Sequence, residues 1–209
     1  LGVDAIKRNK LLSKKDLMNK TGMKFGKNNL LITYHPVTLE KQTSQKNFKI
    51  LLDVLDDLKD MYLIFTMPNA DSYGRIIKKM INDFVKCRPE KTISFTSMGI
   101  LNYLSTLQFV DGVVGNSSSG LTEVPTFKIG TINVGDRQKG RLKAGSIIDC
   151  EPTKKSIKQA LDKLYSKNFQ KNIDTVKNPY GEGDAAKKII KLLINEPIPA
   201  EIKKEFYDL

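Results

Sequence analysis

The chain alternates short, almost wholly apolar runs with longer stretches in which apolar residues recur at helical spacing. Residues 30–34, 62–66, 92–95, 112–115 and 129–134 are runs of four to six residues, and residues 146–149 are a possible sixth. Short continuous apolar runs, rather than alternating ones, fit strands of a parallel sheet covered on both faces. Between the runs, Phe48, Leu51, Leu52, Leu55 and Leu58 form one stripe, and Ile76, Ile77, Met80, Ile81 and Phe84 form a second. Ile100, Leu101, Leu104 and Leu107 form a third, a helix is expected over 153–165, and another presents Ile189, Ile190 and Leu193 before Pro197 and Pro199 break it. Such stripes predict amphipathic helices that each cover part of a sheet face. Strands alternating with helices predict right-handed βαβ units and an α/β fold around a parallel sheet.

Both ends look different. Residues 1–29 are polar and basic, with one short helix expected between a Ser13 cap and a stop at Gly22, and read as a linker into a domain over 30–195. Residues 196–209 read as a helical tail. The opening Leu1-Gly2-Val3-Asp4 has no initiator Met and no signal peptide, and reads as the start of a piece of a longer chain.

Composition narrows the function classes. At 209 residues and 40% apolar content a sizeable core is expected, and no run approaches the roughly 18 to 20 apolar residues of a membrane span. Cys87 and Cys150 match no metal spacing and are too few for a disulfide framework, which points to a reducing cytoplasm; with one histidine, no metal site is expected. The net charge of +12 raises the question of nucleic acid. Of the 35 basic residues only Arg8, Arg75, Arg88, Arg137 and Arg141 are arginines, and the lysines are spread over helix faces, so no nucleic-acid partner is expected. The field favours small acidic ligands.

The candidate chemistry centres on residues 113–125. Val113, Val114 and Gly115 end a buried strand, and Asn116, Ser117, Ser118, Ser119 and Gly120 turn into a short helix. The first amides of a helix have no intrahelical partner and carry partial positive charge, so a phosphate there can be met by amides and by the hydroxyls of Ser117 to Ser119. Glu123 cannot hold a phosphate, and its carboxylate suits sugar hydroxyls, as in dinucleotide sites. The alternative is a serine-rich turn that only caps its helix. In parallel sheets ligands collect beyond the carboxyl ends of the strands, where His35, Asn69, the 117–123 segment and Arg137 each follow a different strand. Each taken singly is also compatible with an ordinary surface loop.

Five motifs in order carry a resemblance: His35-Pro36-Val37-Thr38, Pro68-Asn69-Ala70-Asp71, Gly115-Asn116-Ser117-Ser118 with Glu123, the 133–141 run around Gly135-Asp136-Arg137-Gln138, and Asn178-Pro179-Tyr180-Gly181. Together, over about residues 1–194, they resemble the C-terminal part of the hydrolysing UDP-N-acetylglucosamine 2-epimerases of sialic acid biosynthesis. Non-hydrolysing relatives carry a His-Arg-Arg-Glu-Asn run and a Ser-Gly-Gly turn instead. The resemblance implies a Rossmann-like, doubly wound parallel sheet, the C-terminal half of the two-domain glycosyltransferase B-type (GT-B) architecture. It implies that Ser117 and Ser118 take the diphosphate of UDP, Glu123 the ribose, and Arg137 the nucleotide and its phosphates. The resemblance likewise implies that Asn69 matches a family asparagine near the nucleotide sugar and that His35 matches the catalytic histidine reaching diphosphate and sugar. It implies conversion of UDP-N-acetylglucosamine and water to N-acetylmannosamine and UDP through a glycal, with no cofactor, in a cytoplasmic enzyme that is a homo-oligomer at full length. The acids and bases of the C2 step fall mostly on a missing N-terminal domain, so these residues alone are expected to be inactive. The alternatives are a UDP- or GDP-linked diacetylbacillosamine 2-epimerase, or a GT-B glycosyltransferase domain.

Overall fold

The computed structural model describes residues 2–37, 43–69 and 74–196. Two helices, α1 (Gly2–Arg8) and α2 (Lys14–Thr21), lead into β1 (Asn28–Thr33). Three helix–strand pairs follow: α3 (Thr43–Asp56) and β2 (Met61–Thr66), α4 (Gly74–Lys86) and β3 (Thr92–Phe95), α5 (Gly99–Thr106) and β4 (Gly112–Gly115). One turn of helix, α6 (Ser119–Thr122), and a 3₁₀ turn (Val124–Phe127) precede β5 (Gly130–Val134) and β6 (Ile147–Cys150). The remainder comprises α7 (Lys154–Leu164), α8 (Lys167–Ile173) and α9 (Ala185–Asn195).

All six strands are parallel, in the order β3-β2-β1-β4-β5-β6. This is the doubly wound, Rossmann-like sheet. Alternate side chains of each strand enter opposite layers. Leu30, Ile32, Leu63, Phe65 and Val114 pack with Phe48, Leu51, Ile77, Phe84 and Ile157 of α3, α4 and α7. Leu31, Tyr62, Ile64 and Val113 pack on the other face with Leu17, Leu104 and Val124.

The stripes of α4 and α5 are narrower than expected. Ile77, Ile81 and Phe84 are buried while Ile76 is 40% exposed, and Leu104 and Leu107 are buried while Ile100 is 60% exposed. Periodicity marks the side of a helix that faces the sheet but not how far round its neighbours cover it. Leu58 follows the end of α3 and still packs against the core. Helix α8 was not expected: Phe169 and Ile173 are its only large apolar residues, and the Ser166 hydroxyl caps it by accepting from the Phe169 N–H at 3.3 Å.

Part of the stretch before β1 packs into the second layer. Ser13 caps α2 and Gly22 ends it at φ 71°, the left-handed conformation that favours glycine. Leu17 and Met23, 0% and 1% exposed, then enter the second layer, so this stretch contributes core as well as connection. Helix α9 does carry the apolar stripe, but outward: Ile190 is 56% and Leu193 73% exposed. Thr38, Ala70, Asp71 and the expected tail beyond Glu196 lie outside the described residues.

Candidate functional site

Strand β1 pairs with β2 on one side and β4 on the other, so the loops leaving β1 and β4 diverge and open a crevice at their carboxyl ends. The end of β4 leaves no room for a side chain against β1. Gly115 sits at φ 142°, and a Cβ on it would lie 1.9 Å from the Thr33 carbonyl oxygen, so only glycine fits. The next residue, Asn116, is 1% exposed. Its side-chain oxygen accepts the His35 backbone N–H at 2.7 Å and its amide donates to the His35 carbonyl at 2.8 Å. The pair acts as one more rung of the β1–β4 ladder, made by a side chain.

The Asn116 carbonyl draws in a third loop. It accepts from Arg137 Nη1 at 2.9 Å and from the buried Gln138 amide at 2.8 Å. Arg137 itself is exposed, and its guanidinium carries five N–H donors in a fixed fork. The loop is also braced at its far end, where Lys143 donates to Asp149 at 2.8 Å and Asn133 donates to the same carboxylate at 2.7 Å. Burial pushes the Asp149 carboxyl up, but these donors outweigh it and hold the group below the ordinary carboxylate range. A cleft of about 400 Å³ opens beside this junction, walled by Tyr34, Val37, Asn47, Asn116, Arg137 and Glu151.

The serine turn uses its hydroxyls unequally. Ser117 Oγ accepts the Ser119 N–H at 3.4 Å, and Ser117 and Ser118 are half-buried at the rim. Ser119 Oγ instead lies 2.6 Å from the Tyr103 hydroxyl, whose burial pushes its pKa up to about 12. Ser119 is thus engaged within the protein. Glu123 stands at the junction of α6 and the 3₁₀ turn, where the missing N–H of Pro125 prevents the helix from continuing. The Thr122 hydroxyl lies 2.5 Å from its Oε2, and a side chain at Gly2 would meet its Oε1 at 2.5 Å. Gly2, Val3, Thr122, Glu123 and Tyr180 enclose a second hollow of about 210 Å³.

His35, Ser117, Ser118 and Arg137 are therefore gathered on one edge, with Asn116 as the atom-level link between the first and the last. Glu123 lies further along the same segment at its own hollow, and Asn69 stands exposed at the end of β2, the strand beside β1. Asn116 and Gln138 were not singled out from sequence. The available signal was an amide residue directly after a strand-ending glycine, a side chain able to donate and accept at once. No group of three or more His, Cys, Asp or Glu suited to a metal occurs among the described residues.

Fold and rim together define a Rossmann-like α/β domain of the sort that forms half of a GT-B protein. A family model described as UDP-N-acetylglucosamine 2-epimerase matches residues 1–194, and the chain belongs to that family. It is 43% identical over 205 residues to GDP/UDP-N,N'-diacetylbacillosamine 2-epimerase (hydrolyzing) of Campylobacter jejuni, covering 98% of this chain and 53% of that protein. It is 33% identical over 193 residues to polysialic acid biosynthesis protein P7 of Escherichia coli, covering 90% of this chain and 49% of that one. The Methanocaldococcus jannaschii UDP-GlcNAc 2-epimerase solved in complex with UDP-GlcNAc and UDP superimposes with a TM-score of 0.67 at 15% identity, over 92% of this chain and 51% of that chain. The chain thus spans about half the length of the curated relatives it matches.

Proposed function

We propose that this chain is the nucleotide-holding part of a hydrolysing 2-epimerase that acts on a nucleotide-linked 2-acetamido sugar. The observation that carries the reading is the junction at Asn116, which binds the loops of His35 and Arg137 to the start of the serine turn at the switch point of a parallel sheet. In this reading Arg137, Ser117 and Ser118 supply donors to the diphosphate, Glu123 accepts from the ribose hydroxyls, and Asn69 and His35 face the sugar. A base removes the C2 proton, the C1–O bond breaks and the nucleoside diphosphate leaves with its electron pair, giving a glycal. Water then adds across the double bond and yields the free sugar inverted at C2. Donors placed in advance around the departing diphosphate stabilise charge where it grows.

The 43% identity to the Campylobacter enzyme favours N,N'-diacetylbacillosamine as the sugar, and the likeness to the Escherichia coli polysialic acid protein supports the UDP-N-acetylglucosamine reading as the second choice. The groups that move the C2 proton are assigned to a further domain, so these 209 residues bind but do not turn over. Titration calorimetry of the chain with UDP, GDP and UMP tests the reading. UDP is expected to bind about tenfold more tightly than UMP, with Arg137→Ala abolishing most of the difference. Equal, weak binding of all three would refute the diphosphate seat, and release of free sugar by the chain alone would refute the division of labour.

A further inference from the structure

The Asn178-Pro179-Tyr180-Gly181 run has no part in the chemistry above, yet its side chains reach both nucleotide loops. The Asn178 amide straddles Glu123, donating to the Thr122 carbonyl at 2.8 Å and reaching the Thr126 hydroxyl at 2.9 Å. The first bond fixes the peptide plane that leads directly into Glu123. The second fixes the 3₁₀ turn that leaves it. Asn178 Oδ1 accepts the Tyr180 N–H at 2.9 Å, and the Gly181 N–H returns to the Asn178 carbonyl at 3.1 Å, so the turn holds the amide in one orientation. Tyr180 then does two things: it walls the hollow that contains Glu123, and its hydroxyl donates to the Leu142 carbonyl at 3.2 Å in the loop that carries Arg137. Beyond the turn, the Asp4 carboxylate of α1 accepts the Ala185 N–H at 3.2 Å, which ties down its far end.

We propose that this turn is a positioning strap for nucleotide recognition: Asn178 sets the carboxylate of Glu123 against the ribose, and Tyr180 ties that carboxylate's hollow to the arginine loop. The proposal rests on the nucleotide reading above. It differs from simple capping of α6, because a cap would affect folding alone, whereas a strap affects ribose recognition in a folded chain. The test compares UDP with 2′,3′-dideoxy-UDP by calorimetry on the wild-type chain and on Asn178→Ala, with thermal unfolding recorded for each. Wild type is expected to favour UDP. Asn178→Ala is expected to lose about tenfold in UDP affinity and less than about twofold for the dideoxy ligand, as one lost set of charge-assisted hydrogen bonds would give. If Asn178→Ala does not fold, Asn178→Ser, which retains a hydroxyl able to accept from the Tyr180 N–H, is read by the same ratio. Equal losses for both ligands, or none, with wild type still favouring UDP, overturn the strap and leave the nucleotide reading intact. A wild-type chain indifferent to the ribose hydroxyls overturns the role of Glu123 and the strap with it, and one that binds no UDP overturns the functional reading itself.

Discussion

The Asn116 side chain holds the His35 backbone through two hydrogen bonds, at 2.7 and 2.8 Å, across 81 residues of sequence. Both partners are main-chain groups at the end of β1, so the bond fixes where that loop begins. Replacing Asn116 by Ala leaves those groups without it at a buried site and is expected to cost about 1–3 kcal/mol. Urea unfolding measures this directly. Asn116→Asp is expected to be worse near neutral pH, since its second oxygen would face the His35 carbonyl, and to recover partly in acid as the carboxyl gains a proton.

Arg137 is expected to behave in the opposite way. It is exposed, and the Gln138 amide keeps its own bond to the Asn116 carbonyl at 2.8 Å when the guanidinium is gone. Arg137→Ala should therefore change unfolding free energy by less than about 1 kcal/mol while removing most of the diphosphate-dependent part of UDP binding. Thermal unfolding and calorimetry on the same sample separate the two effects.

Gly115→Ala is expected to be among the most damaging small changes in the chain. The added methyl would stand 1.9 Å from the Thr33 carbonyl oxygen at a φ of 142°, and neither strand can move without parting the centre of the sheet. A loss above about 3 kcal/mol, or failure to accumulate soluble protein, is expected.

On the helical flank, Arg88 forms a bidentate pair with Asp56 and lies 4.2 Å above the Phe84 ring. The hydrogen bonds from Arg88 hold the Asp56 carboxyl below its ordinary value despite some burial. A depressed folded-state pKa means that the unfolded chain takes up the proton first as pH falls. The stabilisation is thus complete above the unfolded value and is lost as pH drops through the folded one. Asp56→Asn should lower stability at pH 7 by no more than about 1 kcal/mol, because the pair is solvent-screened, and the gap should close below about pH 4. Parallel urea titrations at pH 7 and in acid check both the size and the sign.

The two thiols should respond differently to a thiol reagent. Cys87 is exposed, whereas Cys150 is 8% exposed at the end of β6, and burial, reinforced by Asp149 and Glu151, pushes its pKa up to about 12. At pH 8 the native chain should release the reagent's chromophore from Cys87 rapidly, with Cys150 reacting only on unfolding.

The order of strands and helices was legible because each buried strand is a short apolar run and each covering helix a spaced one. Gly112–Gly115 and Thr92–Phe95 agree residue for residue with their expected runs. What the pattern missed has physical causes. Ile76 and Ile100 carry the right spacing but sit at the edges of their stripes, and edge exposure depends on neighbouring elements. Leu17 and Met23 lie in a basic stretch whose few apolar residues nonetheless find the sheet. The rim was readable because parallel strands put their C-terminal loops on one edge. The role of Asn116 was not, because a side chain that substitutes for a backbone rung can be found only when both strands are side by side. Ser119 looked equivalent to its neighbours until Tyr103 stood beside it.

The central pairing of β1 with β4 also has a kinetic side. The chain between them runs through β2, β3 and their helices, so the loop closed by this pairing is long and its closure entropy must be met before the contacts that offset it can form. Refolding should be slow for a chain of this size, with the ligand-facing edge among the last parts to acquire protection from hydrogen exchange.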